Sequence, residues 1–216
     1  MKLISGDEYQ ALAQDAEVLE RDTFGDKVLR RKDDQIIKLF RIKRLLSLSL
    51  FYPYSLRFSR NARRLNRLGV PSVQVAQVFY CASIRRHGVV YPLLPGETLS
   101  HLLEKGQNSD SLMRQLATFI AELHRKKIYF RSLHLGNILQ LPDGRLGLID
   151  VADLSFNRLP LTLWQRRRNF RHLLRRVEHR ALFEQFGIER FIEYYLDAAE
   201  IPQQKRAVFC SLICRY

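Results

Sequence analysis

Strand-like runs open the chain: Glu17 to Glu20, then Lys27 to Arg31 and Gln35 to Phe40, with a Lys32, Asp33, Asp34 turn between the last two. That arrangement predicts a hairpin in a small antiparallel sheet. From 55 to 68 the spacing lengthens to that of a helix, with Leu56, Ala62, Leu65 and Leu68 on the apolar side among five arginines. Gly69, Val70 and Pro71 end it. Further strands are expected at Val73 to Tyr80 and Val89 to Leu94, and Pro95-Gly96 then breaks the pattern. Beyond that break, Thr98 to Glu104 and Ser111 to Lys127 read as helices. Ile138 to Leu141 and Arg145 to Ile149 read as a hairpin around Pro142, Asp143 and Gly144, and most of 161 to 213 reads as helix again. The expected fold class is therefore α+β in two lobes, a small antiparallel β lobe over 1–94 and a mainly helical lobe over 95–216.

Composition agrees with a folded chain, since 46% hydrophobic residues in 216 suffice for a core. Three cysteines, Cys81, Cys210 and Cys214, without metal-ligand spacing argue for a reducing compartment. There is no apolar run of membrane-spanning length and no signal-peptide core near Met1, so the expectation is a cytoplasmic protein. Charge changes the picture more. The net charge is +14, and no Asp or Glu lies between Gln35 and Gly96, a span that holds eleven Lys and Arg residues including Lys38, Arg41, Arg85 and Arg86. Such a surface calls for an anionic partner. Nucleic acid is not the expected one, because the arginines lack aromatic interleaving or a known binding module.

The candidate chemistry lies in Ile128 to Leu139, which contains Arg131, Ser132, Leu133, His134, Leu135, Gly136 and Asn137, followed by the hairpin and Leu148 to Asp153. These residues resemble a protein-kinase-like catalytic core, in which a metal-binding asparagine is followed, after a short hairpin, by a metal-binding aspartate. Asn137 and Asp150 match those two. Gln35 to Leu39 is similar to the strand whose lysine holds the nucleotide phosphates, which makes Lys38 its counterpart. Tyr91 to Gly96 falls at the hinge, with Tyr91 and Leu93 as base-contacting candidates, and Gly25 is the one glycine kept from the phosphate-covering loop. More narrowly, Tyr129 to Asn137 together with Trp164 to Arg175 is similar to the bacterial lipopolysaccharide core (Kdo/heptose) kinases and the toluene-tolerance proteins grouped with them. The resemblance spans about residues 18 to 200. It implies ATP and Mg²⁺ as cofactors and a sugar hydroxyl on an anionic, phosphorylated glycolipid as acceptor.

Two departures cut against transfer. Ser132 stands five residues before Asn137, where the kinase pattern has an aspartate, and a serine does not accept the acceptor's proton unaided. The lysine's usual carboxylate partner is also missing, with Asn61 in its place on the arginine-rich helix. His134 and Asp153 are the candidates to orient the acceptor instead, since phosphoryl transfer depends chiefly on positioning and electrostatics. The rival reading is a pseudokinase that keeps the fold, binds nucleotide or a partner, and transfers nothing.

Three other features stand out. Arg166, Arg167, Arg168, Arg171, Arg175, Arg176 and Arg180 fall in one predicted helix, either a phosphate-recognising face or a solvated one, with Trp164 at its start as an anchor to the core. Leu45 to Tyr54 is uncharged and apolar, either an insert packed on its lobe or a shallow contact with the inner face of the cytoplasmic membrane. Cys210 and Cys214 are expected to be core residues.

Overall fold

The computed structural model describes residues 1–41, 53–107 and 109–214, except for the side chains at 212 and 214. The segment Leu45 to Tyr54 therefore lies outside the described residues up to position 52. The chain forms two compact units, Met1–Pro95 and Gly96–Tyr216.

In the first unit the elements run β1 (Lys2–Ile4), α1 (Gly6–Ala13), β2 (Glu17–Asp22), β3 (Gly25–Arg30), β4 (Gln35–Arg41), α2 (Tyr54–Arg67), β5 (Gln77–Cys81) and β6 (Arg86–Pro92). The strands form one sheet in the order β1-β5-β6-β4-β3-β2, antiparallel except for the β1–β5 pair. Helix α1 starts at a capping box, in which Glu8 N–H donates to Ser5 Oγ at 3.1 Å and Ser5 N–H donates to Glu8 Oε2 at 2.8 Å. Its Tyr9, Leu12 and Ala13 cover Ile37, Leu39, Phe79 and Val90 on one face of the sheet.

Strand β4 is central and buried on both faces, which is why its sequence does not alternate cleanly. Ile37 and Leu39 point to the α1 side, and the intervening Ile36 and Lys38 are buried on the other. There α2 lays down Ser55, Phe58, Ala62 and Leu65 and turns most of its arginines outward. The buried side of α2 thus differs from the expected one. Phe58 replaces Leu56 as the anchor, and Leu68, at the helix end, is exposed.

Strand β5 begins at Gln77 rather than Val73. The Asn66 side chain takes Ser72 N–H at 2.9 Å and donates to Val73 C=O at 3.3 Å, so those backbone groups are satisfied without a ladder.

The second unit contains β7 (Glu97–Thr98), α3 (Leu99–Glu104), α4 (Asp110–Arg125), β8 (Ile128–Phe130), β9 (Ile138–Gln140), β10 (Leu146–Leu148), β11 (Leu154–Phe156), α5 (Leu163–Leu173), α6 (Val177–Phe186), α7 (Ile188–Ala198) and α8 (Gln203–Cys214). Its core is helical, with Leu116, Ile120 and Leu123 of α4 and an aromatic cluster of Phe170, Phe183, Phe191, Tyr195 and Phe209. Two small antiparallel pairings, β7-β9-β10 and β8-β11, frame the loops that carry the candidate chemistry. At the start of this unit Gly96 has φ +137°, and a Cβ there would sit 2.4 Å from Gln140 C=O, so only glycine fits.

The predicted arginine helix is two helices. Helix α5 stops at Leu173, Arg175 and Arg176 lie in the connection, and Arg180 belongs to α6. The break is held by Arg180 Nε, which donates to the freed Leu174 C=O at 3.3 Å. Trp164 is not a core anchor, since 59% of it is exposed. Cys210 is half-buried beside Glu193 rather than in the core. Among the described residues no helix is long and apolar enough to cross a membrane.

Candidate active site

In the first unit Lys38 is 6% exposed, with its Nζ 5.9 Å from the Phe58 ring centre. Phe58 also packs against Phe40 and Tyr91, with ring centres 5.7 and 5.5 Å away, so Lys38 emerges from an aromatic bed on the α2 side of β4. Asn61, one helical turn beyond Phe58, is buried on the same side of α2. Tyr91 pairs with Ile36 across the ladder. Leu93 donates its N–H to Asp34 C=O at 2.8 Å, which leaves its C=O and exposed side chain as the parts able to meet a base.

Gly25 opens β3 with φ +114°, in a tight turn after β2. Arg86 holds that turn from β6. Its guanidinium donates to Asp26 C=O at 2.8 Å and Phe24 C=O at 2.6 Å, and pairs with Asp22 at 3.3 Å. Asp22 also accepts Phe24 N–H at 2.7 Å, and this backbone bond, with Arg86 second among the favourable contacts, lowers its pKa. Arg86 is 6% exposed, so it is a structural cation rather than part of the open basic surface.

In the second unit β8 ends at Phe130, and Arg131 to His134 form the loop that leads into a 3-10 turn at Leu135–Asn137. The β9–β10 hairpin then returns the chain beside that turn: Ile149 N–H donates to Asn137 C=O at 3.0 Å. Asp150 follows immediately, in a left-handed conformation (φ 54°, ψ 48°) that costs energy for a non-glycine residue and is typical of functional loops. The β9–β10 hairpin thereby brings the Asn137 and Asp150 backbones together.

The Asn137 side chain is 94% buried. Its Nδ2 donates to Ser132 C=O at 2.9 Å, which fixes the amide and makes Oδ1 the atom through which it would ligate a metal. An amide oxygen and a carboxylate are the kind of hard donors that Mg²⁺ takes, one or two from protein with the rest from phosphate and water. No cluster of three His, Cys, Asp or Glu able to hold a metal occurs among the described residues.

The two candidate acceptor-orienting residues part company. Asp153 closes the next 3-10 turn and reaches back to the loop. It receives Ser132 Oγ–H at 3.4 Å and pairs with Arg131 at 3.2 Å, and Arg131 N–H donates to its C=O at 3.3 Å. A carboxylate thus stands beside Ser132, and Arg131 steers it. Sequence reasoning missed Arg131, although its place directly before Ser132 was the available signal.

His134 has its ring centre 6.3 Å from that of His179, lies within reach of the Asp150 charge, and has its Nδ1 buried without a partner among the described residues. Burial, helped by Arg176, pushes its pKa down to about 4, so at neutral pH it is an uncharged and weak base.

Comparison with known proteins gives two findings. The Lipopolysaccharide kinase (Kdo/WaaP) family model matches residues 16–195. Among solved structures, monomeric WbdD superposes with a TM-score of 0.52 at 17% identity, covering 88% of this chain and 44% of WbdD. The chain therefore spans less than half the length of that protein, and the likeness is one of fold. No curated protein matches the chain in sequence.

Proposed function

Since the chain belongs to the lipopolysaccharide kinase (Kdo/WaaP) family, we propose that it transfers the γ-phosphoryl group of ATP to a sugar hydroxyl of the lipopolysaccharide core or a related anionic envelope glycolipid. The observation that carries this reading is the carboxylate of Asp153 held beside Ser132 in the loop that precedes Asn137. In the transfer, the acceptor oxygen bonds to the γ-phosphorus as the bond to the ADP oxygen breaks, and the hydroxyl proton leaves to Asp153. Asp153 thus takes the role of the aspartate that Ser132 replaces, and Arg131 keeps it aimed. Ser132 Oγ–H, now 3.4 Å from Asp153, is longer than an ordinary hydroxyl–carboxylate bond and yields to the acceptor hydroxyl.

Asn137 and Asp150 would hold Mg²⁺, which supplies neutralisation of the phosphate charge when bound. Lys38 would supply the cation on the nucleotide phosphates, with Tyr91 and Leu93 beside the base. Gly25 would give backbone access in a turn that Arg86 keeps in shape. His134, uncharged and turned toward His179, serves the loop's packing.

The pseudokinase reading is favoured by one observation, the serine at 132, and one experiment separates the two. Labelled ATP is incubated with core oligosaccharide. Transfer that falls about a hundredfold or more in Asp153→Asn supports the assignment. Nucleotide binding without any transfer by the unaltered chain would overturn it in favour of the rival.

A further inference from the structure

Helix α5 borders a cleft of about 460 Å³ lined by Trp164, Arg167, Arg168, Arg171, His172 and Arg175. The volume matches a small-molecule site. Its composition does not match an ordinary solvated helix face. Four guanidiniums line it and no carboxylate does, and no Asp or Glu occurs between Asp153 and Glu178. Among the described residues none of these four arginines makes an ion pair, whereas Arg131, Arg145, Arg190 and Arg206 all do. Arg167 Nε is buried with no hydrogen-bond partner. An unpartnered buried donor beside several like charges is costly unless an anion completes it.

The remaining lining residues fit such an anion with a body attached. Arg168 lies over the Trp164 ring at 5.3 Å, and more than half of the indole is exposed. The indole thus offers a flat face for a ring or an apolar stem. The His172 pKa is lowered first by burial, then by Arg168, Arg175, Arg171 and Arg131. Asn169, on the same helix, donates to Phe130 C=O at 2.6 Å, and the next residue, Arg131, pairs with Asp153 beside Ser132, so α5 borders the loop of the candidate acceptor position.

We propose that the α5 cleft is a phosphate-recognition site for the acceptor: it binds a phosphate group already carried by the sugar that presents its hydroxyl to the Ser132–Asp153 loop. The ligand class is a sugar phosphomonoester or diphosphate. Guanidinium forks take the phosphate oxygens in bidentate fashion, and the Trp164 face takes the carbohydrate body. The proposal rests on the kinase reading for its place in the reaction, but its test does not require transfer.

Trp164 is the chain's one tryptophan, so its emission reports on this cleft alone. The full chain is titrated with inorganic pyrophosphate, a hexose 6-phosphate, the unphosphorylated hexose, and vesicles with and without phosphatidylglycerol. The expected result is a saturable emission change with the two phosphate ligands and none with the hexose. Affinity should be weakened about tenfold or more in Arg168→Gln/Arg171→Gln, the range for loss of charge-assisted hydrogen bonds. The double variant should melt no lower than the parent, because it removes repulsion, and each single variant supplies the same comparison. Equal responses to hexose and hexose phosphate, no saturable response, or a response confined to phosphatidylglycerol vesicles would overturn the proposal; the last would assign this face to lipid headgroups. Where transfer is measurable, the double variant raises KM for the phosphorylated acceptor and leaves KM for ATP in place.

Discussion

At the scale of single residues, the loop before Asn137 gains from Asp153 the carboxylate that its own sequence lacks. Ser132 cannot act as the missing aspartate, yet the turn after Asp150 returns Asp153 to its side, 21 positions along the chain. The sequence offered both His134 and Asp153, because each lies a few residues from a matched motif position. The difference between them is one of burial and direction, which linear spacing does not contain. The same holds for Gly88. In sequence it is one small residue in an apolar run, but it faces Phe79 across the β5–β6 ladder, and a Cβ there would meet that ring at 2.1 Å. Phe79 is fully buried, so the ring can shift only into neighbouring core side chains. Gly88→Ala is expected to cost about 1–3 kcal/mol through overpacking, read as a lower urea midpoint with an unchanged m-value. An alteration within a few tenths would show that the ring moves freely.

At the scale of elements, the strands and helices with a clean period were legible: β2, β3, α2, α4 and the β9–β10 hairpin fall close to their expected places. What was lost was set by partners distant in the chain. Strand β1, only three residues long, exists because β5 offers it an edge, and β8 and β11 exist because they pair with each other. Arg86 illustrates the same lesson for charge. It reads as one more cation in an acid-free stretch, but it is buried and spans from β6 to the β2–β3 turn, 60 and 62 residues away in sequence. Removing it takes a donor from the buried side of the turn at the Phe24 and Asp26 carbonyls and leaves the Asp22 carboxylate, among the described residues, with Phe24 N–H alone. Arg86→Ala should destabilise the first unit by about 2–4 kcal/mol, and amide exchange should accelerate first at β2 and β3. Uniform exchange across the unit would show instead that the turn is not held separately.

At the scale of the whole molecule, the second unit's core is organised by a polar network. His124 is 99% buried, with Nε2 3.0 Å from Asn169 Oδ1 and Nδ1 2.7 Å from the Tyr195 hydroxyl. Asn169 Nδ2 donates to Phe130 C=O at 2.6 Å, so its oxygen faces the histidine, and Nε2 must carry the proton. Tyr195 then donates to Nδ1 and accepts from Arg166 at 2.8 Å. The network ties α4, α5 and α7 to β8, the strand that leads into the Ser132 loop.

Burial lowers the His124 pKa to about 3, well under its unfolded value of about 6.5. Above pH 6.5 both states are neutral there and the full stability is present. As pH falls from about 6.5 toward 3, only the unfolded chain takes up that proton, and stability drops by as much as about 1.4 kcal/mol per pH unit from this residue. His134, lowered to about 4, adds to the same fall over the upper part of the window. Denaturant unfolding between pH 7 and 4 should show this slope, and His124→Gln should reduce it by about one proton while lowering stability at pH 7. An unchanged slope would mean that His124 is charged or exposed in the folded chain.

Binding of ATP through a divalent ion held by Asn137 and Asp150 is read directly by thermal unfolding with ATP and Mg²⁺. A ligand at a hundred times its Kd stabilises by about 2.7 kcal/mol, a rise of roughly 5–10 °C for a chain of this size. That rise is expected with ATP and Mg²⁺ together and is expected to be lost when EDTA is present and in Asp150→Asn, a variant whose amide tolerates the left-handed backbone at that position. No shift, or a shift of the same size in Asp150→Asn, would contradict it.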